Sequence, residues 1–218
     1  MEVHIRPVLE KEYTAVESLV RDAFWNRYKP GCDEHDYLHR MRRDPAYLPD
    51  LEYLAEVQGE IVGQIAYARS GIMTAEGEVP TVTFGPVGVR PDLQGKGIGG
   101  KLIRHTLQLA KQGGHRAAVI LGDPRYYGRF GFHGCERYDV CLDGMYLPGL
   151  LLLELCPGAL QGIKKGAFRE HFSYRQDPEA LARFDSTFPQ KAKEETDSQR
   201  EFSVITHLAY RVSEPDYL

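Results

Sequence analysis

The most informative segment of the chain reads Val87-Gly88-Val89-Arg90-Pro91-Asp92-Leu93-Gln94-Gly95-Lys96-Gly97-Ile98-Gly99-Gly100. It joins a predicted strand over residues 82–89 to a predicted helix that begins near Ile98, whose apolar residues recur at helical spacing. Four glycines lie at this junction, at positions 95, 97, 99 and 100. Glycine allows the backbone N–H groups of such a turn to crowd toward one point without interference from side chains.

The charge of this segment favours a phosphorylated ligand. The N-terminus of a helix carries partial positive charge and attracts anions. Between Arg90 and Arg104 there are four basic residues and one acid, a local charge of +3 (four minus one), on a chain with a net charge of -4. The simpler alternative is a glycine-rich turn that only packs a helix against a strand. The order of strand, glycines and helix favours the phosphate site.

Two other phosphate-binding motifs fit this segment less well. Residues 95–100 satisfy the GxGxxG pattern of dinucleotide-binding folds, in which the first glycine follows its strand almost directly. Here five residues that include Pro91 intervene, and a predicted antiparallel hairpin precedes the segment. A P-loop would need a hydroxyl where Leu102 stands. A nucleotide-dependent oxidoreductase using NAD(P) therefore remains the weaker alternative.

The predicted elements along the chain follow a mixed order. They are a strand at 3–8, two helices, a hairpin at 51–57 and 61–68, the strand at 82–89, the helix that ends at Gly113-Gly114, a strand at 117–121, a helical turn at 126–130, and strands at 135–142 and 150–155. This order predicts an α+β or mixed α/β fold rather than a doubly wound repeat. The composition shifts from Asp177 onward. Residues 191–200 are polar and are predicted to form a solvated helix or loop, and residues 202–210 are predicted to form one more strand.

The composition excludes several classes of protein. Hydrophobic residues make up 42% and charged residues 27% of the 218 residues, as in ordinary soluble domains. The net charge of -4 provides no positive field for nucleic acid. No apolar run approaches the roughly 20 residues of a membrane helix, and residues 150–153 are only long enough for a strand. The first six residues lack the apolar core of a signal peptide, and the four cysteines show no CxxC pairing. We expect a cytoplasmic protein with reduced thiols and no nucleic-acid or membrane partner.

Two motifs of the chain resemble the GNAT N-acetyltransferase superfamily. Gln94-Gly95-Lys96-Gly97-Ile98-Gly99 matches the family's pyrophosphate loop, Gln/Arg-x-x-Gly-x-Gly/Ala, at every position. Downstream, Tyr127-Gly128-Arg129-Phe130-Gly131-Phe132 resembles its Tyr-x-x-x-Gly-Phe segment. Residues 121–127 and 156–160 are similar to the YhbS-like subgroup. Two spaced motifs in the right order are more specific than either alone.

This resemblance implies a fold and a cosubstrate. The expected fold is a central, mostly antiparallel sheet with a splayed strand pair and flanking helices, in which residues 1–160 form the acetyltransferase domain and 161–218 are an extension packed on it or continuing it. The cosubstrate is acetyl-CoA, and no metal is expected. The residues implied to bind it are Val87, Gly88, Val89, Gln94, Gly95, Lys96, Gly97, Ile98, Gly99 and Gly100, with Val87 and Val89 offering backbone groups to the pantetheine arm. Gly85-Pro86 fits independently, because proline removes a ladder donor.

The resemblance also implies direct transfer of the acetyl group to an amine of a small molecule or peptide in a ternary complex. Tyr127 matches the position that protonates the departing thiolate, although Tyr126 is adjacent. Glu34 is the candidate residue at the acceptor, with the alternative that acids simply favour a helix N-terminus. Cys32, His35 and His39 have the spacing of a metal trio, but a solvated helix face is favoured. A monomer or homodimer is expected, and a non-catalytic acyl-CoA sensor of the same fold is the main alternative.

Overall fold

The computed structural model describes residues 1–207 and 210–211. Its strands are β1 (His4–Pro7), β2 (Tyr53–Val57), β3 (Glu60–Thr74), β4 (Gly77–Val89), β5 (Ala117–Leu121), β6 (His133–Gly134), β7 (Val140–Cys141), β8 (Met145–Tyr146), β9 (Leu150–Glu154), β10 (Gly166–Glu170) and β11 (Tyr210–Arg211). Its α-helices are α1 (Tyr13–Phe24), α2 (Glu34–Met41), α3 (Ile98–Gln112), α4 (Pro124–Tyr127), α5 (Pro178–Asp185) and α6 (Asp197–His207). Short 3-10 turns connect several of them. None of the helices in the described ranges is long and apolar enough to cross a membrane.

Nine of the described strands form one sheet. Its main path runs β1-β2-β3-β4-β5-β9-β6, while β10 pairs with the second half of β3 and with β7. Only the β4–β5 and β7–β10 pairs are parallel, and the other pairs are antiparallel. The prediction of a mixed fold with a mostly antiparallel sheet and flanking helices is therefore confirmed.

The parallel strands β4 and β5 separate soon after they meet. They pair only at Val82 with Ala118 and at Thr83 with Val119. Beyond Thr83, β4 pairs with β3 alone as far as Val89. The last six residues of β4 therefore have one free edge, whose backbone N–H and C=O groups have no ladder partner on that side.

A bulge in β4 accompanies this separation. Tyr67 of β3 pairs with Phe84, but Ile65 pairs with Val87, so β4 carries one more residue than β3 between these pairs. Gly85 and Pro86 lie within that interval. An extra residue bends a strand and increases its local twist. The bulge turns the end of β4 away from the line of β5 and opens the gap between them.

The two faces of the sheet are covered by different helices. On one face, here called the α3 face, Tyr67 and Val82 share a buried cluster with Ile103 of α3. On the opposite face, the α1–α2 face, Ala66 and Ala68 share a buried cluster with residues of α1 and α2. Neighbouring side chains of a strand point to opposite faces of the sheet. Residues 66–68 of β3 therefore contribute alternately to the buried clusters on the two faces. The gap between β4 and β5 connects the two faces.

The segment after β9 packs on the same body. Strand β10 adds to the sheet, and the buried guanidinium of Arg21 in α1 donates from Nε to Asp185 Oδ1 of α5 at 2.7 Å. It also donates to the carbonyl of Pro189 at 3.1 Å. An arginine this deeply buried is stable only when paired. Residues 166–189 are thus held to the first helix by a specific contact.

Two predictions of local structure were wrong. Residues 135–142 form a 3-10 turn, Cys135–Tyr138, and the two-residue strand β7 rather than one strand. Most of 202–210 belongs to helix α6, which carries Asp197 in its first turn and stacks Phe202 on Tyr28 at 4.1 Å. Favourable charge near its N-terminus and this tertiary contact outweigh the β-propensity of residues 202–206. Residues 208–209 of the predicted strand lie outside the described residues.

Candidate active site

The glycine-rich turn lies where the free edge of β4 meets the N-terminus of α3. Gly97 is the N-cap of α3, with φ of 83°, and Gly95 has φ of 74°. These left-handed conformations are costly for any residue with a Cβ atom. A Cβ added at either position would meet nothing within 4 Å, so the turn faces open space. The chain therefore keeps the first N–H groups of α3 accessible to a ligand.

Two of the predicted cosubstrate-binding side chains have structural contacts within the turn. The amide of Gln94 donates to the carbonyl of Val89 at 3.0 Å, and the ammonium of Lys96 donates to the carbonyl of Asp92 at 3.0 Å. Both residues hold the loop to the end of β4. Ile98 is buried under the first turn of the helix. The side chains of these three residues therefore shape the turn.

Three arginines that surround the turn have no carboxylate partner among the described residues. Arg104 lies 5.0 Å from the ring of Phe130, and Arg129 lies 4.7 Å from the ring of Tyr126. Arg27 donates to Gln94 Oε1 at 3.3 Å. We call Arg27, Arg104 and Arg129 the arginine cluster. Cations without a protein counter-charge beside a helix N-terminus attract anions.

The arginine cluster corrects the charge count made from the sequence. Arg90 contributes to that count, but its charge is neutralised by ion pairs with Glu60 and Asp92, both at 2.7 Å. Arg27 and Arg129 were not identified from the sequence. Arg129 lies within the motif of residues 127–132, so the sequence could have indicated it as a cation near the ligand. Arg27 comes from the distant α1–α2 connection, and only the fold brings it to the turn.

Tyr127 lies in an aromatic group next to the gap between β4 and β5. Its ring is 6.0 Å from both Phe84 of β4 and Phe132, and it lies so close to Gly122 that any Cβ there would clash with it. Burial raises the pKa of its hydroxyl above the ordinary tyrosine value. No described residue accepts or donates a hydrogen bond at that hydroxyl. Tyr127 is thus a protonated, unpaired donor at the site.

Tyr126 occupies a different position from its neighbour. Its hydroxyl lies 3.2 Å from the place of a Cβ on Gly99, and Val89 is the next side chain beside that place. The three guanidinium groups of the arginine cluster each favour its ionised form, although burial raises its pKa overall. Tyr126 therefore covers the glycine turn itself, whereas Tyr127 faces the gap.

Glu34 begins helix α2 on the other side of the gap. One of its carboxylate oxygens accepts a hydrogen bond from the N–H of Asp33 at 3.0 Å. Burial raises the pKa of Glu34 to about 7 from an ordinary value of 4.5, and the Asp33 charge adds to this effect. A charge on Glu34 raises the pKa of Tyr28, and a charge on Tyr28 raises that of Tyr127. The three groups are therefore close enough to interact electrostatically.

The residues with the spacing of a metal trio have other partners. His35 is fully buried, with Nδ1 at 3.5 Å from the Cys32 thiol and Nε2 at 3.1 Å from Asp185 Oδ1. His39 Nδ1 lies 3.0 Å from Glu17. The expectation of a solvated face is thus wrong for His35, whose pKa burial lowers to about 4. The described part of the chain contains no group of three potential metal ligands.

Comparison with known families identifies the fold and the turn together. Residues 4–135 match the acetyltransferase (GNAT) domain family. The chain belongs to this family. The match includes the bulged strand β4, the glycine-rich turn and α3, which form the open site described above.

Individual relatives agree with this assignment. The chain is 33% identical over 105 residues to the uncharacterized N-acetyltransferase YjhQ of Escherichia coli K12, covering 47% of this chain and 56% of YjhQ. The chain thus spans little more than half of that relative. It is 28% identical over 119 residues to the uncharacterized N-acetyltransferase YhbS of the same strain, covering 55% of this chain and 70% of YhbS.

Two solved structures are also similar. A GNAT family acetyltransferase from Brucella melitensis in complex with acetyl-CoA is 28% identical with a TM-score of 0.62, covering 78% of this chain and 96% of that one. E. coli YhbS in complex with CoA has a TM-score of 0.65 at 24% identity, covering 79% of this chain and 92% of that one, and shows the shared fold.

Proposed function

We propose that this chain is an N-acetyltransferase that uses acetyl-CoA as cosubstrate and an amine as acceptor. The observation that carries the proposal is the separation of β4 from β5 beside an open glycine turn at the N-terminus of α3. That geometry places an anion site next to a free strand edge, and the free edge next to a gap in the sheet. Residues 161–207 belong to the same domain in this proposal, because β10 and α5 pack on its sheet and first helix.

The anion site suits the pyrophosphate of acetyl-CoA. Residues 95–100 supply backbone N–H groups, and the arginine cluster supplies positive charge without competing carboxylates. The free edge of β4 at Val87, Gly88 and Val89 can pair with the amides of the pantetheine arm, as an added strand would. These contacts direct the thioester toward the gap, with Tyr127 on the α3 face and Glu34 on the α1–α2 face.

The transfer needs a neutral amine and a stabilised leaving group. The acceptor nitrogen attacks the thioester carbonyl, the new C–N bond forms, and the C–S bond breaks to release the coenzyme A thiolate. The proton that the nitrogen gives up as the amide forms neutralises this thiolate, so that coenzyme A leaves as the thiol. Ammonium groups with a pKa near 10.4 must first lose a proton, and the Glu34 carboxylate accepts it better with a pKa near 7 than at its ordinary value. Tyr127 donates a hydrogen bond to the thiolate as it forms.

Replacing Tyr127 with phenylalanine is expected to lower kcat by about 10-fold, below the roughly 10²–10⁴-fold range of general acids. A thiol has a reference pKa near 8.5 and leaves readily, and a tyrosine with a raised pKa stabilises the thiolate mainly by hydrogen bonding. Steady-state kinetics measure this effect. Tyr126→Phe is the matched variant, expected to raise the KM for acetyl-CoA and leave kcat nearly unchanged. Exchanged behaviour of the two variants would mean that the roles are reversed.

Acetyl-CoA is expected to raise the Tm of the protein, because a ligand that binds only the folded state stabilises it by mass action. NADH and ATP at equal concentration should have little effect. The companion measurement is release of free thiol from acetyl-CoA with a panel of amines. Equal stabilisation by NADH would favour the dinucleotide alternative, and binding of acetyl-CoA without transfer to any amine would favour a non-catalytic sensor.

A further inference from the structure

A strip of polar side chains crosses the α1–α2 face of the sheet at the level where β4 and β5 separate. The register places Glu170 of β10 opposite Ser70 of β3, and Ser70 opposite Thr81 of β4. Residues paired across neighbouring strands share a face of the sheet. Thr83, in the last β4–β5 pair, lies two residues further along the same face. The strip interrupts an otherwise apolar surface, with the cluster under α1 and α2 on one side and the cluster around Phe168 on the other.

Glu170 has no counter-charge within the described residues. Its carboxylate is half-buried and forms no hydrogen bond or ion pair there. Burial alone raises its pKa to about 7, without a contribution from any neighbouring charge. Burying a carboxylate without a partner costs free energy, which a bound cation would recover.

Two tyrosines connect Glu170 with the proposed catalytic base. The rings of Tyr174 and Tyr37 meet edge to face with centroids 5.3 Å apart. A charge on Glu170 raises the pKa of Tyr174, and charges on Asp33 and Glu34 raise that of Tyr37. The two rings therefore lie along the path from one carboxylate to the other. Faces of aromatic rings attract cations.

One carboxylate oxygen near this path is buried without a partner. Asp33 is 7% exposed, and its Oδ1 atom has no hydrogen-bond partner among the described residues. The nearby cations have carboxylate partners, since Lys29 pairs with Asp33 and Arg40 pairs with Asp36. Arg40 also lies 5.6 Å from the centroid of the Tyr37 ring, and its Nη2 atom is buried without a hydrogen bond. Buried polar atoms of this kind are usually satisfied by a ligand or by water.

We propose that the acceptor is a small amine carrying a second cationic group, which Glu170 and Tyr174 bind while the reacting amine lies at Glu34. This proposal rests on the proposed acetyl transfer and adds a substrate class to it. A monoamine would leave the carboxylate of Glu170 unpaired on the face of the sheet. A diamine pairs both carboxylates and fits the aromatic surface between them.

The test compares acceptors of equal chain length with one or two terminal amino groups, namely n-butylamine with diaminobutane and n-hexylamine with diaminohexane. For at least one of the two pairs, we expect kcat/KM to be about 10- to 100-fold higher for the diamine than for the monoamine of equal length. This ratio corresponds to the free energy of one hydrogen bond to a charged group. Glu170→Gln should remove this preference through KM, with kcat and the monoamine values changed by less than about twofold. Glu170→Gln also removes a destabilising buried charge, so it is expected to fold.

Glu78→Gln is the control, because it removes a carboxylate from β4 on the opposite face of the sheet, where Glu78 pairs with His171, and it should keep the preference. A second measurement, calorimetric binding of the diamine in the presence of CoA, does not depend on turnover. Wild-type transfer without diamine preference, or an equal loss for both acceptors in Glu170→Gln, would overturn the inference and leave the acetyltransferase assignment intact. Diamine binding that depends on Glu170 without any transfer would support the site and overturn the catalytic assignment.

Discussion

Replacing Gly97 with valine is expected to raise the Kd for acetyl-CoA by at least about 100-fold. The Cβ of residue 97 would enter the open space in front of the first turn of α3, where the pyrophosphate is proposed to bind. Loss of even two hydrogen bonds from backbone N–H groups to a charged phosphate, at about 1.5–3 kcal/mol each, exceeds the 2.7 kcal/mol or so that a 100-fold change requires. Calorimetry, or the shift of Tm by acetyl-CoA, measures the loss.

The same helix provides a control for backbone strain. Gly114 follows the C-terminal end of α3 with φ of 85°, and a Cβ there also meets nothing within 4 Å. Gly114→Val therefore imposes a similar left-handed penalty, about 1–2 kcal/mol or more for a branched residue, far from the turn. Both variants should lose a similar amount of stability, and only Gly97→Val should lose acetyl-CoA. Normal binding by Gly97→Val would show that the phosphate site lies elsewhere.

The sequence predicted those parts of the fold that depend on local patterns. Helix α3 was predicted to begin near Ile98 and end at Gly113-Gly114, and it spans Ile98–Gln112, because an apolar stripe bounded by glycines determines both ends. The hairpin of β2 and β3 was predicted from the tight turn at residues 58–60, although β3 continues to Thr74, beyond the predicted end at residue 68. Residues 135–142 were assigned wrongly, since a short turn and a two-residue strand leave no periodic pattern. Helix α6 was missed because its contact with Tyr28 is tertiary.

The candidate site residues suggested by the sequence come from compact motifs and from the family resemblance. The glycine turn and the Tyr127 segment are continuous motifs, whereas Glu34 lies far from both in sequence and was suggested only by the resemblance. Arg27 and Glu170 are separated from those motifs by dozens of residues, and only the pairing of β10 with β3 and the packing of α1 bring them near. The pairing state of a charge is also invisible in sequence. Arg90 and Arg104 are indistinguishable in the sequence pattern. In the structure Arg90 is neutralised by two acids, whereas Arg104 belongs to the arginine cluster.

Replacing Glu34 with glutamine is expected to lower kcat with a monoamine acceptor by about 100-fold or more, within the range of a general base. The amide keeps the size of the side chain and cannot take a proton from the attacking amine. In the wild type, kcat/KM should rise with pH through a limb near 7, as the Glu34 carboxylate forms. The variant should lack this limb and keep only the rise at higher pH that comes from the amine itself. A retained limb near 7 would assign the base to another group.

Glu34→Gln should lower activity but raise the free energy of unfolding above neutral pH. Because the folded state raises the pKa of Glu34 from 4.5 to about 7, folding favours the protonated carboxyl. The wild type therefore loses stability as pH rises from about 4.5 to 7, and the loss persists above that window. Glu34→Gln should be more stable at pH 8 and nearly equal at pH 4, with Tm higher by about 2–4 °C for each kcal/mol regained. A catalytic base held in a site without water is expected to destabilise the fold when it is charged, so its removal stabilises the protein at pH 8. If Glu34 were only an acid that favours the N-terminus of α2, Glu34→Gln would instead be less stable at pH 8.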